Sequence, residues 1–337
     1  MVFVMNKKIP ILALTGFLGS GKTSLLNHIL KENQGLKIGV IVNDFGSINI
    51  DSLLVARQTD SKLELSNGCI CCAVEDSGLD DAISQLAHTG STLDYIVIEA
   101  SGLAEPKELV NILDQSKNKF ARLDSVVAVI DTENVMAMNE KHPDFFKQLE
   151  VADIIILNKT DLISKSKLKE VEGYLDFLGV EARKILAEFG AIDTRLLLDT
   201  ESLKKRDIPK GAQVPLSEDH SAHLHETYQK VSFSSTKPLD PKSFDEYMSH
   251  KIPKNIFRAK GFVYFGIKGL EQKFIFQLVG KRFTLKLDDW RGQVPKNDIV
   301  FIGEKLDETK LLKDLEELID KSPDDIAGNL LDLNLYR

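Results

Sequence analysis

Eight residues constrain this chain more than any others. Gly16-Phe17-Leu18-Gly19-Ser20-Gly21-Lys22-Thr23 follow the apolar run Ile9–Leu14 and lead into the helix-patterned stretch Lys22–Lys31. The spacing G-x-x-x-x-G-K-[ST] between a strand and a helix is the setting that a phosphate-cradling loop requires. Gly16 and Gly21 let the backbone turn its N–H groups onto phosphate oxygens, and the helix N-terminus adds the positive end of its dipole. In that arrangement Lys22 reaches the β- and γ-phosphates and Thr23 holds Mg²⁺, with Gly19, Ser20 and Ser24 in the same cradle. The alternative is a glycine-rich turn with a solvated lysine, which requires neither the strand before nor the helix after.

Around this loop, residues 1–199 alternate short β-rich runs with amphipathic stretches, the pattern of a parallel sheet with helices on both faces. Strands are expected at Ile9–Leu14, Leu36–Val42, Tyr95–Glu99, Ser125–Asp131 and Asp153–Asn158, and helices at Lys22–Lys31, Val74–His88 and Lys167–Leu178. Gly35 is a plausible stop for the first helix. Ile154-Ile155-Ile156-Leu157 is a near-continuous apolar run, as in strands buried on both faces. Residues 200–227 are polar, carry Pro209, Gly211 and Pro215, and read as a linker or mobile loop. A second unit, residues 228–337, follows. It has strands expected at Val231–Ser235, Gly261–Ile267, Lys273–Val279, Lys281–Leu287 and Asp298–Ile302, and a helix start at Asp240-Pro241. Leu311, Leu312, Leu315, Leu318 and Ile319 mark one face of a closing helix, and residues 321–337 read as peripheral. The fold class expected is therefore α/β: a P-loop NTPase-type, mostly parallel sheet with helices on both faces, plus a smaller C-terminal α+β domain.

Composition removes several functions. The 337 residues suit about two domains. With 43 basic and 51 acidic side chains the net charge is −8, which argues against a general nucleic-acid binder. No run approaches the ~18 apolar residues of a membrane-spanning helix, and no secretion signal is read at the start. All three cysteines, Cys69, Cys71 and Cys72, lie within four residues. A disulfide framework would spread them along the chain, so the cluster points to a reducing cytoplasm and a soft-metal site. Three buried small hydrophobes and a redox pair are the competing readings, although C-x-C-C is not the C-x-x-C of thioredoxin-like proteins.

Four further segments carry chemistry. Asn158-Lys159-Thr160-Asp161 follows a strand, in the crevice where open α/β sheets bind ligands. A carboxylate there accepts both N1–H and the exocyclic amine of guanine, a donor pair that adenine lacks. With a phosphate loop upstream, this favours GTP over ATP; alone, the tetrapeptide could be an Asx-type turn. Glu99 ends a buried strand, where an acid can hold a Mg²⁺-bound water or orient the attacking water, and Gly102 can offer its N–H to the γ-phosphate. Asn43–Asp51 reads as a switch segment in which Asp44 or Asp51 could approach the magnesium, or be solvated loop acids. In an extended stretch Cys69 and Cys71 point the same way, so two thiolates form an open site that a switch residue, Cys72, a histidine or a client completes. His220, His223 and His225 could add accessory imidazoles or be solvated linker residues.

Together these segments resemble the CobW-type family of P-loop GTPases, which are GTP-dependent metallochaperones and metalloprotein activators. The resemblance rests on Gly16–Thr23, Leu65–Cys72, Ile98–Pro106 and Leu157–Leu162, and continues in Arg258–Phe262, Trp290 and Val300–Gly303. It implies a GTPase domain, a transition metal held by the C-x-C-C motif near the nucleotide, and a C-terminal domain contacting a client metalloprotein or metal-inserting enzyme. Zinc is the metal favoured by the Cys-Ile-Cys-Cys form, with cobalt as the other candidate, and the linker histidines fall where family members carry a histidine-rich tract. Two departures stand out. Ser47 occupies the place of the second acid in the usual Asn-Glu-Phe-Gly-Glu switch, and Leu178-Gly179-Val180 replaces an Asn-Pro turn, which implies a weaker hold on the base. The reading is a slow cytoplasmic GTPase with GTP, Mg²⁺ and Zn²⁺ (or Co²⁺), a monomer or a nucleotide- or metal-dependent homodimer. A nucleotide-modulated zinc buffer or sensor is the alternative.

Overall fold

The computed structural model describes residues 8–32, 36–42, 78–88, 93–100, 106–115, 120–142, 145–198, 228–267, 272–290 and 292–319. Asp44, Ser47, Asp51, Cys69, Cys71, Cys72, Gly102, His220, His223 and His225 lie outside the described residues, as do Gly35, residues 200–227 and the tail. The chain divides into two compact units, Met1–Val214 and Pro215–Arg337.

In the first unit the strands are β1 (Ile9–Thr15), β2 (Ile38–Val42), β3 (Tyr95–Glu99), β4 (Ala121–Asp131), β5 (Ile154–Asn158) and β6 (Arg183–Leu186). They form one sheet in the order β2-β3-β1-β4-β5-β6, and every neighbouring pair is parallel. β6 was not anticipated, because it opens on Arg183 and Lys184 and lacks the apolar run of its neighbours. Residues of both parities, Leu12, Leu14, Val127 and Val129 as well as Ile11, Ala13, Val126 and Ala128, are buried. Both faces are therefore covered, which is why these strands read as continuous apolar runs.

The described helices are α1 (Lys22–Lys31), α2 (Gly78–His88), α3 (Pro106–Gln115), α4 (Val135–Lys141), α5 (Phe145–Glu150) and α6 (Lys165–Phe177). In α2, Leu79, Ala82, Ile83 and Leu86 follow the i, i+3, i+4, i+7 spacing and pack with Ile11, Ala13, Ile96 and Ile98. Val171 and Leu175 of α6 pack with Ala128, Ile130, Ile155 and Leu157. Each such Leu, Ile or Val side chain contributes about 1.5–3 kcal/mol on burial. At the end of α6, Gly179 has φ +75°, Gly179 N–H donates to Asp176 O and Val180 N–H to Leu175 O, both at 3.0 Å. This glycine cap stands in place of the Asn-Pro turn and closes the helix without it.

The second unit is an antiparallel sheet of β7 (Tyr228–Ser235), β8 (Ile256–Val263), β9 (Lys273–Val279), β10 (Arg282–Asp288) and β11 (Asn297–Glu304), in the order β10-β9-β8-β11-β7. The helices α7 (Pro241–Glu246) and α8 (Glu308–Glu317) accompany it. Asp240 caps α7 by accepting from Ser243 N–H at 2.7 Å, with Pro241 in the first turn. Phe244 packs edge-on against Phe265 and Phe276, with ring centroids at 5.6 and 5.3 Å. Leu311 and Leu315 of α8 join the same core. The strand expected at 261–267 is displaced. β8 ends at Val263, beyond which Tyr264 N–H donates to the Asn297 side chain at 2.8 Å and Tyr264 O accepts from Leu239 N–H at 2.9 Å, and Gly261 lies inside the strand.

Candidate functional site

Parallel strands all end at one edge, and that edge gathers the residues with chemistry. Thr15 leaves β1, Glu99 leaves β3, Asp131 leaves β4 and Asn158 leaves β5. Leu14 pairs with Glu99, and Asp131 with Asn158. Open α/β sheets bind ligands at this carboxyl edge.

The loop after β1 is shaped by glycine. Gly16, Gly19 and Gly21 have φ values of +135°, +73° and +102°. A Cβ on Gly16 would stand 2.2 Å from Val129 O, and one on Gly21 would stand 2.2 Å from Asn158 Nδ2. Gly21 is the N-cap of α1, and among the described residues no side chain caps that helix. A helix N-terminus of this kind favours an anion. Lys22 is buried and bends back over the loop, donating to Gly16 O at 2.9 Å and Phe17 O at 3.1 Å. Ser24 is exposed on the first turn of α1.

Thr23 Oγ1 donates to Glu99 Oε1 at 2.9 Å, and Glu99 is 7 % exposed. A hydroxyl beside a carboxylate is a set of hard oxygen donors of the kind Mg²⁺ takes, so the residues present fit that ion. Among the described residues the buried hydroxyl of Ser20, inside the loop, has no hydrogen-bond partner. Burying a hydroxyl unpaired is costly, and a phosphate oxygen would satisfy it.

Asn158 holds the second half of the site. It is 2 % exposed; its Nδ2 donates to Ser20 O and its Oδ1 accepts from Gly190 N–H, each at 2.9 Å. The side chain thereby ties the phosphate loop to the turn that follows β6. Thr160 ties the same turn from the other side, its N–H and Oγ1 donating to Ala187 O at 3.2 and 3.1 Å. Lys159 has a left-handed φ of +63°, and its Nζ pairs with Asp131 Oδ2 at 2.7 Å. Burial pushes the Asp131 carboxyl up, but hydrogen bonds from Lys159 and Asn134, the Lys159 charge and the Glu133 N–H outweigh it and hold the group below its ordinary value. Asp161 is exposed in the short turn Thr160–Leu162. A cleft of about 190 Å³ lies along the loop, lined by Phe17, Leu18, Ser20, Asp131, Met138 and Lys159 among others.

The structure thus brings Gly16, Ser20, Gly21, Lys22, Thr23, Glu99, Asn158 and Lys159 to one edge. Sequence reasoning missed Asp131 and Gly190. Asp131 ends an apolar strand just as Glu99 does, a signal that was available. Gly190 carried none.

Two family descriptions match. The CobW/HypB/UreG nucleotide-binding domain matches residues 10–184, and the cobalamin synthesis protein cobW C-terminal domain matches residues 228–319. "Zinc-regulated GTPase metalloprotein activator 1" of Dictyostelium discoideum is 30% identical over 307 residues, covering 76% of this chain and 63% of that protein, so less than two thirds of it is spanned. "Zinc chaperone CobW" of Sinorhizobium sp is 30% identical over 333 residues, covering 88% of this chain and 93% of that protein. "Zinc chaperone YjiA" of Escherichia coli (strain K12) is 28% identical over 315 residues, covering 90% and 96%. A nucleotide-binding domain matched over more than half of the chain, joined to the cobW C-terminal domain, places this protein in the CobW family.

Proposed function

We propose that this chain is a GTP-hydrolysing zinc metallochaperone, with a GTPase domain in residues 1–199, a linker in 200–227 and a client-contacting domain in 228–337. The observation that carries the reading is the contact of Thr23 with Glu99 beside Lys22, which supports phosphoryl chemistry at the strand edge. The names of the relatives, zinc chaperones and a zinc-regulated GTPase activator, support the metal and the nucleotide.

In this reading Gly16–Ser24 cradle the phosphates of GTP and Asp161 accepts from the guanine N1–H and amine. Asn158 positions the loop through its bonds to Ser20 and Gly190, and its second Nδ2–H is left for the nucleotide. Lys22 exchanges its contacts with Gly16 O and Phe17 O for phosphate oxygens. Thr23 and Glu99 would hold Mg²⁺, which neutralises charge developing on the phosphates. Glu99 orients the attacking water, and Gly102 offers its N–H to the γ-phosphate. Zinc is the cargo, taken by the thiolates of Cys69 and Cys71, with Cys72 and His220, His223 and His225 as further donors; Asp44 belongs to the switch that GTP orders. Hydrolysis releases that switch and loosens the thiolate site toward a client.

Calorimetry with GDP and ADP tests the nucleotide half. GDP should bind at least about a hundredfold tighter, because a site built for the guanine donors is left unpaired by adenine. Asp161→Asn should lose that preference and accept xanthosine diphosphate, whose C2 oxygen an amide N–H can meet. Equal affinity for GDP and ADP in the wild type would contradict the reading.

A further inference from the structure

Among the described residues, Lys159, Phe189 and Lys305 are the non-glycine residues with positive φ. Lys159 belongs to the base-recognition turn, and Lys305 is an exposed lysine with a flexible stem. Phe189 has no such excuse. Its φ is +54°, Gly190 follows at +75°, and Ala191 N–H donates to Glu188 O at 2.9 Å. Two central residues with positive φ make a turn of the type I′ pattern, in which Asn or Gly is preferred at the first position. A bulky aromatic there is strained.

Packing does not compensate for the strain, because Phe189 is 78% exposed. Nor can the turn relax by moving away. Gly190 N–H is held by Asn158 Oδ1, a Cβ on Gly190 would stand 2.7 Å from Leu25 N, and Ala187 O receives Thr160. The ring therefore projects from a turn clamped between residues 158–160 and the first turn of α1. A local rule broken without a packing gain marks a functional position.

We infer that Phe189 is a base-contacting residue: its ring lies against the guanine face of the bound nucleotide, while Asp161 reads the edge. The inference rests on the guanine-nucleotide reading above. Stacking uses the π-face that every base presents, so Phe189 contributes affinity and Asp161 contributes the choice of base.

Two variants test it by GDP calorimetry, thermal melting and fluorescence. Phe189→Asn suits the turn, so it should melt at or above the wild-type temperature while binding GDP about 5- to 100-fold more weakly. Phe189→Trp should keep near-wild-type affinity, and GDP should quench its added emission over that of Trp290, the chain's other tryptophan. Wild-type GDP affinity in Phe189→Asn, or an unquenched Phe189→Trp, would overturn the inference. If Phe189→Asn melts lower, the quench alone decides between a base contact and a structural role. A wild type that binds ADP as well as GDP, with Phe189→Asn weakening both, would overturn the guanine reading and keep the stacking contact; a wild type that binds neither would overturn both.

Discussion

The Thr23 hydroxyl and the Glu99 carboxylate meet at 2.9 Å although 76 positions separate them in the chain. Two parallel neighbours, β1 and β3, bring them together, because both strands end at the same edge and Leu14 lies opposite Glu99. In the proposed function this hydroxyl and this acid are the pair that holds the nucleotide-bound cation and orients the attacking water.

Replacing Glu99 with Gln keeps the volume and leaves an oxygen to accept from Thr23, but removes the charge. Phosphate release from GTP should fall about 100-fold or more, while the melting temperature changes little. Single-turnover phosphate release and a melting curve check this together.

Gly21 and Asn158 are locked to one another. Gly21→Ala combines a φ of +102° with a Cβ 2.2 Å from Asn158 Nδ2, and should cost roughly 2–4 kcal/mol in chemical denaturation. Adding Asn158→Ala removes the atom in the way. The double variant should therefore be less destabilised than the sum of the two single variants, by about 1 kcal/mol.

Asp131 supplies a pH-dependent term. Its folded carboxyl titrates below the ordinary value of 3.8, so its stabilising effect is fully present above that value and fades as the pH falls through the lower, folded value. Wild type should exceed Asp131→Asn in unfolding free energy by about 1 kcal/mol at pH 6, and the gap should shrink below pH 3.8. Denaturant titrations of both proteins at the two pH values check the sign.

In the second unit, Gly261 of β8 lies opposite Ile299 of β11. A Cβ there would stand 2.0 Å from Asp298 O and 2.6 Å from Ile299 Cα, both backbone atoms that cannot swing aside. Gly261→Ala should destabilise by roughly 2–4 kcal/mol, read by denaturation of the full chain.

What the sequence revealed depended on how local the signal was. Ile154–Leu157 announced a strand buried on both faces, and Gly16–Thr23 announced its loop, because both patterns are contiguous. β6 was hidden by its Arg-Lys opening, and α3 was passed over although Pro106 in its first turn is a recognised helix-start signal. The placement of Gly261 as a strand start failed because what demands a glycine there is a strand across the sheet, beyond any local window. The double engagement of Asn158 was likewise invisible, since Ser20 lies 138 positions away and Gly190 is set beside it only by the order of β5 and β6.

The central claim is that nucleotide state controls metal affinity. By linkage, a nucleotide that tightens zinc binding must itself be bound more tightly in the presence of zinc. The most direct measurement is Zn²⁺ affinity by chelator competition in the nucleotide-free, Mg²⁺–GDP and Mg²⁺–non-hydrolysable-GTP states, with Cys69→Ser/Cys71→Ser as control. The account predicts tightest binding with the GTP analogue, by about tenfold or more, and loss of that state in the control. Equal affinity in all three states would contradict it.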